Sequence, residues 1–317
     1  MTMAGMRRRC YVENHPAKDA FWNGEKMNKP ESINKEGLHP VTFNPNDGCN
    51  VSDEIILAQV AANIRRQLPQ VYGHQTNNDT VALVCGGPSL KTTEKELVEL
   101  QWAGAKVVAV NGAYQWCIDH NIRPSAMVML DARQFNARFV KTPIAGCRYL
   151  LAAQCHADAF EYCKDRDVMI WHCCSAGQPE ADLLSEYYFK RLNPITLGTT
   201  VAIRAIQLMR LLGFRSFDIF GLDSCWMDQE HHSYVQSEND KDKRFVTWLR
   251  PEGREDLWCH FTCAPWHMRQ AHDFQNLVGE QGNNFRLNVR GNGLIAAILR
   301  ISAELGSTPI TVVPEEE

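Results

Sequence analysis

The stretch Val81-Ala82-Leu83-Val84-Cys85-Gly86-Gly87-Pro88-Ser89-Leu90 constrains this chain more than any other. An unbroken apolar run stops at two glycines, a proline and a serine, the pattern of a fully buried strand ending in a tight loop. Lys91 to Ala103 follows as a helix, with Leu90, Leu97 and Leu100 on one side and Gly104 as its stop. A strand that feeds a helix through Gly-Gly is where α/β proteins hold phosphates, because glycine admits close approach and the helix start offers free N–H groups. The loop lacks the Gly-Lys-Ser/Thr of a Walker sequence and the third glycine of the dinucleotide fingerprint. An ordinary strand-to-helix turn explains it equally well on its own.

The grammar then repeats. Lys106–Val110 reads as a second buried strand ending on Asn111-Gly112, Ala113–His120 as a helix, and Ala126–Leu130 as a third strand ending on Asp131. Arg148–Ala153 and Val168–Trp171 are further strands, Pro179–Lys190 a helix, and Gly198-Thr199-Thr200 opens a periodic helix running to Leu212. Ser216–Phe220 is the next strand, ending Gly221-Leu222-Asp223. The expected fold is α/β: a Rossmann-like, mostly parallel sheet flanked by helices, with an irregular N-terminal lead. Ligands of such sheets bind outside the carboxyl ends of the strands, so Gly86, Gly87, Pro88, Ser89, Asn111, Asp131 and Asp223 are candidate site residues. Gly198, Thr199 and Thr200 suit a phosphate, a ribose or merely a capped helix.

These motifs, in this order, resemble the MptE-like family, the 6-hydroxymethylpterin diphosphokinase-like domain that also occurs in motility-accessory glycosyltransferases. The resemblance rests on Gly-Gly-Pro-Ser-Leu, Val-Asn-Gly-Ala, Ile122-Arg123-Pro124 leading to Asp131, Gly198-Thr199-Thr200-Val201-Ala202, and Gly221-Leu222-Asp223. A late element, Asn288 to Gly293, fits less closely. The resemblance covers Asp79 to Ile301 and implies nucleotide use and transfer chemistry. In its diphosphokinase form the glycine loop holds the phosphates of ATP, Asp131 and Asp223 bind Mg2+, and a hydroxyl of a small acceptor such as a hydroxymethylpterin attacks the β-phosphorus. In its glycosyltransferase form, similar to some bacterial sialyltransferases, the loop holds a nucleotide-sugar, and a carboxylate or His232 takes the acceptor proton. A third reading is a nucleotide-binding protein without turnover. The catalytic candidates are Asp131, Asp223 and His232.

Four segments are expected: an irregular lead over 1–50, a helix and linker over 51–78, the main domain over 79–301, and a tail over 302–317. Ser52 caps the helix, with Ile56, Leu57, Val60, Ile64 and Leu68 on its apolar face and Pro69 as its stop. Gln229–Arg254 is polar and charged and reads as a loop beside the site, with Trp226, His231, His232 and Tyr234 at its start as material for an acceptor pocket. The tail Pro314–Glu317 is expected to fray.

A net charge of −4 over 317 residues gives no drive toward nucleic acid or an anionic membrane. No apolar run reaches membrane-spanning length. Twelve scattered cysteines in a chain of this size read as buried thiols of a cytoplasmic protein. Cys259, His260, Cys263 and His267 have ligand types at spacings open to zinc, although chance pairing of that kind is common among so many cysteines.

Overall fold

A computed structural model describes residues 51–174, 194–251, 253–281, 285–305 and 312–314. The expected lead over 1–50 and the expected helix over 179–190 lie outside the described residues. The apolar runs form strands buried on both faces: β1 (Thr80–Val84), β2 (Lys106–Val110), β3 (Ala126–Met129), β4 (Arg148–Ala152), β5 (Asp167–Trp171) and β6 (Ser216–Phe220). Val81, Ala82, Leu83 and Val84 have no solvent exposure at all, as expected for a central strand of a parallel sheet. With β9 (Arg286–Val289) they make a seven-stranded sheet in the order β5-β4-β3-β2-β1-β6-β9, and every pairing in it is parallel. The fold is the α/β, Rossmann-like arrangement that the strand-and-helix alternation requires.

The helices follow the apolar periodicity. α1 (Asp53–Ile64) buries Ile56, Val60 and Ile64, and Asn63 beside them donates to the carbonyls of Ala153 and Cys155 at 2.9 and 2.8 Å. That bond pair ties α1 to the carboxyl end of β4. Ser52 stands at the cap position without a side-chain cap bond, and α1 stops at Ile64, short of Leu68. α2 (Leu90–Trp102) buries Leu90 and Leu97, α3 (Ala113–Asp119) buries Tyr114 and Cys117, and a 3-10 turn over Gln134–Val140 follows β3. α4 (Ala157–Tyr162) links β4 to β5, and α5 (Val201–Leu211) leads into β6.

Beyond β6 the sequence signals fail. The polar stretch expected as one loop over 229–254 contains β7 (Phe245–Leu249), which pairs antiparallel with β8 (Cys259–Cys263). The tail expected over 302–317 supplies the third strand of that sheet, β10 (Val312–Pro314), paired antiparallel with β7, and residues 315–317 lie outside the described residues. The run Phe-Val-Thr-Trp-Leu of β7 is a local strand signal, masked in the sequence reading by the charged residues on either side of it. α6 (Pro265–Gln281) and α7 (Leu294–Leu305) complete the described fold.

One buried charge holds the far side of the sheet. Asp218 on β6 is 1% exposed and accepts from Arg290 Nε and Nη2 at 3.1 and 2.7 Å and from Asn288 Nδ2 at 2.9 Å. Arg290 also pairs with Glu96 on α2. The ten described cysteines are free thiols, nine of them buried. Among the described residues no helix is long and apolar enough to cross a membrane.

Candidate functional site

Chain order places the site. Strands β1 to β5 are laid down outward in one direction, and β6 then returns to the other flank of β1. The reversal falls between β1 and β6, where open α/β sheets bind ligands. Gly86-Gly87-Pro88-Ser89 leaves β1 at that point, with Asn111-Gly112 leaving β2 on one side and Gly221-Leu222-Asp223 leaving β6 on the other.

The β1–β6 side is filled by protein. The Gly87 N–H donates to the Gly221 carbonyl at 2.8 Å, and the Ser89 N–H donates to Asp223 Oδ2 at 2.8 Å. A Cβ on Gly87 would stand 2.3 Å from Asp223 Oδ2 and 2.7 Å from the Gly221 oxygen, so the glycine serves close packing against Asp223. From the other direction Gly293 packs on Asp223, where a Cβ would lie 2.5 Å from its Cα. The late Asn288–Gly293 element therefore closes over the carboxylate. Asp223 is 3% exposed, and burial raises its carboxyl to about 6, offset in part by its contacts with Ser89. Its role in the geometry is to hold the loop and the start of α2.

The β1–β2 side is different. The peptide N–H groups of Gly86 and Gly112 donate to no described residue. Above both glycines lies the segment after Asp223. Ser233 N–H donates to the Gly86 carbonyl at 2.9 Å. A Cβ on Gly86 would meet His232 Cδ2 and the Tyr234 hydroxyl, each at 2.6 Å, and one on Gly112 would meet the Tyr234 ring at 2.6 Å. Asn111, the last residue before Gly112, has φ 45° and a buried Oδ1 with no hydrogen-bond partner. The crevice over Gly86, Asn111 and Gly112 thus carries two unused donors and one unused acceptor, and the side chains of His232 and Tyr234 fill the space above them.

His232 sits in a cluster of rings. Its ring centroid is 4.6 Å from that of His231 and 5.3 Å from that of Tyr234, and His231 is 4.4 Å from Trp226. Burial, with His231 beside it, lowers the His232 imidazole to about 3, so it is neutral near pH 7. His231 Nε2 is 3.1 Å from Asp240 but lacks hydrogen-bond geometry to it. Burial also lowers His231 and, more strongly, His267, which accepts from the Ala264 N–H at 3.0 Å.

The remaining candidates sit elsewhere or are engaged. Asp131 lies on the same sheet edge as Asp223, but β1 and β2 stand between their strands, about 14 Å at the usual spacing. Its carboxylate is held by Arg133 through Nε at 3.0 Å and Nη2 at 2.6 Å. The two carboxylates do not fit one Mg2+ site, whose ligand bonds span about 2 Å. Among the described residues no group of three His, Cys, Asp or Glu side chains is arranged to hold a metal. Thr199 gives both its N–H and its hydroxyl to Asp273 on α6, each at 2.7 Å, so a carboxylate takes the donors read as a phosphate or ribose site. Thr200 accepts from Gln270, which in turn accepts from Ser224 at 2.6 Å, a chain that ties α5 to the end of β6. The zinc spacing also does not assemble: Cys259 and Cys263 sit at opposite ends of β8, about 13 Å apart along an extended strand. A groove of about 500 Å3 opens at the opposite edge of the sheet, lined by Lys106, Ser125, Arg148, Arg166 and Phe214. It lies at the amino ends of the strands, away from the switch point where ligands of such sheets bind.

Sequence reasoning missed Arg138, which reaches the segment over the crevice from the turn after β3. It named Gly293 at the end of the late element but not its packing on Asp223.

The family described as 6-hydroxymethylpterin diphosphokinase MptE-like matches residues 56–229, more than half of the chain. No curated protein matches it. Among solved structures, the MAf glycosyltransferase from Magnetospirillum magneticum AMB-1 aligns with a TM-score of 0.55 at 12% identity, covering 83% of this chain and 42% of that one. The likeness is one of fold, and this chain spans less than half the length of that protein. A mammalian sialyltransferase solved with Gal-beta-1-3GalNAc-ortho-nitrophenol aligns over 78% of this chain and 92% of its own at 8% identity, with a TM-score of 0.37 that carries no argument.

Proposed function

The chain belongs to the 6-hydroxymethylpterin diphosphokinase MptE-like family, and from that premise we propose that it is a nucleotide-dependent transferase moving the diphosphate of ATP to a hydroxyl of a small acceptor such as a hydroxymethylpterin. The observation that carries the reading is the crevice over Gly86 and Gly112, with unused N–H donors on its floor and a neutral imidazole against its wall. The donor phosphates lie over those N–H groups, which supply positive potential that needs no reorganisation. Asn111 Oδ1 accepts a hydroxyl or amine of the ligand.

The acceptor oxygen attacks the β-phosphorus, the bond from that phosphorus to the oxygen shared with the α-phosphate breaks, and AMP leaves. His232 accepts the proton of the acceptor hydroxyl; its ring is neutral near pH 7, and the charge of the donor phosphates beside it raises its basicity from the low value that burial and His231 impose. Asp223 touches neither reactant; it fixes Ser89 and the loop. No step is drawn through Mg2+, since Asp131 and Asp223 do not form a common site. The Tyr234 ring beside His232 supplies a flat face for the acceptor.

A second reading is favoured by one observation. With Asp131 and Asp223 held apart, the crevice offers a phosphate floor and a base but no carboxylate pair for a cation, a set that also serves transfer of a sugar from a nucleotide-sugar. Titration calorimetry with ATP, CTP, GTP and a CMP-sugar, followed by product analysis with a hydroxymethylpterin, separates the two. ATP binding and acceptor-dependent AMP release support the first reading. Binding of the CMP-sugar in place of ATP would overturn it in favour of the second, and binding of neither would leave a protein without this turnover.

A further inference from the structure

The segment Glu230–Glu238 crosses the mouth of the crevice, and each end is held by a cation on one bank. Glu230 pairs with Lys91, the second residue of α2 and the first charge after the glycine loop. Glu238 accepts from Arg138 Nη2 at 2.5 Å, and Arg138 sits on the turn after β3. Tyr234 lies midway, its ring over Gly86 and Gly112. Arg138 and Glu238 are both close enough to bear electrostatically on the Tyr234 phenol, which places that end of the strap beside the ring. The guanidinium is steadied by the rings of Phe135 and Phe139, 5.1 and 4.8 Å from their centroids. Carboxylate, phenol and carboxylate thus fall at four-residue intervals along one strap, with a carboxylate seated on each cation.

We propose that Lys91 and Arg138 are the phosphate-binding cations of the donor site, and that Glu230 and Glu238 occupy them until the donor phosphates displace them and lift Tyr234 from Gly86 and Gly112. The identity of the ligand as a nucleotide rests on the transferase reading above; the exchange itself rests on the strap. Both ion pairs are half exposed, with side-chain exposures of 49% and 48% for Lys91 and Glu230 and 39% and 26% for Arg138 and Glu238. Pairs of that kind hold weakly. A polyphosphate brings several charges at once and can bond an arginine in fork geometry, so it outcompetes single carboxylates. Opening also uncovers the two unused N–H groups, which couples phosphate binding to strap release.

The test uses inorganic pyrophosphate and ATP as probes in titration calorimetry, with amide hydrogen exchange of residues 230–238 in the absence of ligand. The double variant Glu230→Gln/Glu238→Gln should exchange faster over the strap and bind pyrophosphate about 5- to 20-fold more tightly, as two weak competing pairs are removed. Lys91→Met and Arg138→Met should each weaken binding by about 10-fold or more, the loss of a charge-assisted contact. Faster strap exchange in the double variant with unchanged affinity would overturn the proposal, as would wild-type affinity in Lys91→Met and Arg138→Met. Failure of pyrophosphate to bind either the native chain or the double variant would overturn it too. Pyrophosphate binding that follows this pattern without binding of any nucleotide would keep the exchange and remove the transferase reading. ATP binding and turnover indifferent to all four residues would do the reverse.

Discussion

The parallel sheet and the strap over its carboxyl edge are specified in opposite ways. In the sheet, β1 is fully buried by its own apolar residues, and each neighbouring strand repeats the pattern. The strap is a run of polar and aromatic residues, buried at His231 and exposed at Val235, held by partners far away in sequence: Glu230 by Lys91, Ser233 by Gly86, Glu238 by Arg138. Burial of apolar surface makes the first region stiff and tolerant of ligand state. A set of ion pairs and ring contacts makes the second easy to rearrange. Under the proposed function the two regions divide the work: the sheet and Asp223 hold the loop fixed, and the strap would supply the base and the cover.

Substitutions in the sheet should therefore register as lost stability, and those in the strap as lost turnover or altered binding. The largest effect belongs to the buried charge. Arg290→Met leaves buried Asp218 with Asn288 and the more distant Arg286 guanidinium at 3.7 Å, and should cost about 3 kcal/mol in urea unfolding. A loss below about 1 kcal/mol would mean that this side of the sheet does not depend on the pair. His232→Ala comes next: turnover should fall by about 100-fold or more while donor affinity changes little, and thermal stability stays close to native. Equal losses in affinity and turnover would make His232 part of the donor site instead.

The two glycines divide the regions most finely. Gly87→Ala drives a methyl into Asp223 and the Gly221 carbonyl and should destabilise by about 1–3 kcal/mol. Gly86→Ala meets only the side chains of His232 and Tyr234, which can swing away, so stability should hold within about 1 kcal/mol while hydrogen exchange across 230–238 quickens. Matching losses of stability in both variants would erase the distinction between floor and strap. Asp223 gives a pH signature that belongs to the sheet. Its carboxyl is raised in the folded chain from 3.8 to about 6, so the protonated form is favoured by folding. The stability it contributes is complete below about pH 4 and is lost as pH rises through about 6. Asp223→Asn should flatten that fall between pH 4 and 6, and an unaltered profile would contradict the burial assigned to this group. The smallest effect is a null one: a metal chelator should leave the melting temperature unchanged, since Cys259 and Cys263 are set apart along β8.

The legible part of the fold is the part with local causes. The strands from Thr80 to Phe220 and the helices between them follow from apolar runs and glycine stops, and the edge that carries Gly86, Asn111 and Asp223 follows from strand order. Side-chain partnership did not follow. Thr199 looked open to phosphate, yet Asp273, 74 residues away, takes its donors. Asp131 and Asp223 looked like a pair because both end strands, but the order of the sheet puts two strands between them. β7 had a local pattern in Phe-Val-Thr-Trp-Leu that its charged flanks obscured, and its partners were not legible because pairing of Thr247 with Phe261 and of Trp248 with Val313 depends on register set elsewhere. The ring-rich run from Trp226 to Tyr234 was visible in the sequence, and the structure packs Trp226 against His231 and Arg244 and seats His232 and Tyr234 over Gly86.

The central claim is that the donor binds on the β1–β2 side of the switch point, beneath the strap. Amide hydrogen exchange with and without saturating ATP tests it directly. Protection at Gly86 and at Gly112, with faster exchange or a new pattern across 230–238, is the result this account predicts. Protection confined to the opposite edge, around Lys106, Ser125 and Arg148, would contradict it and move the site to the groove there.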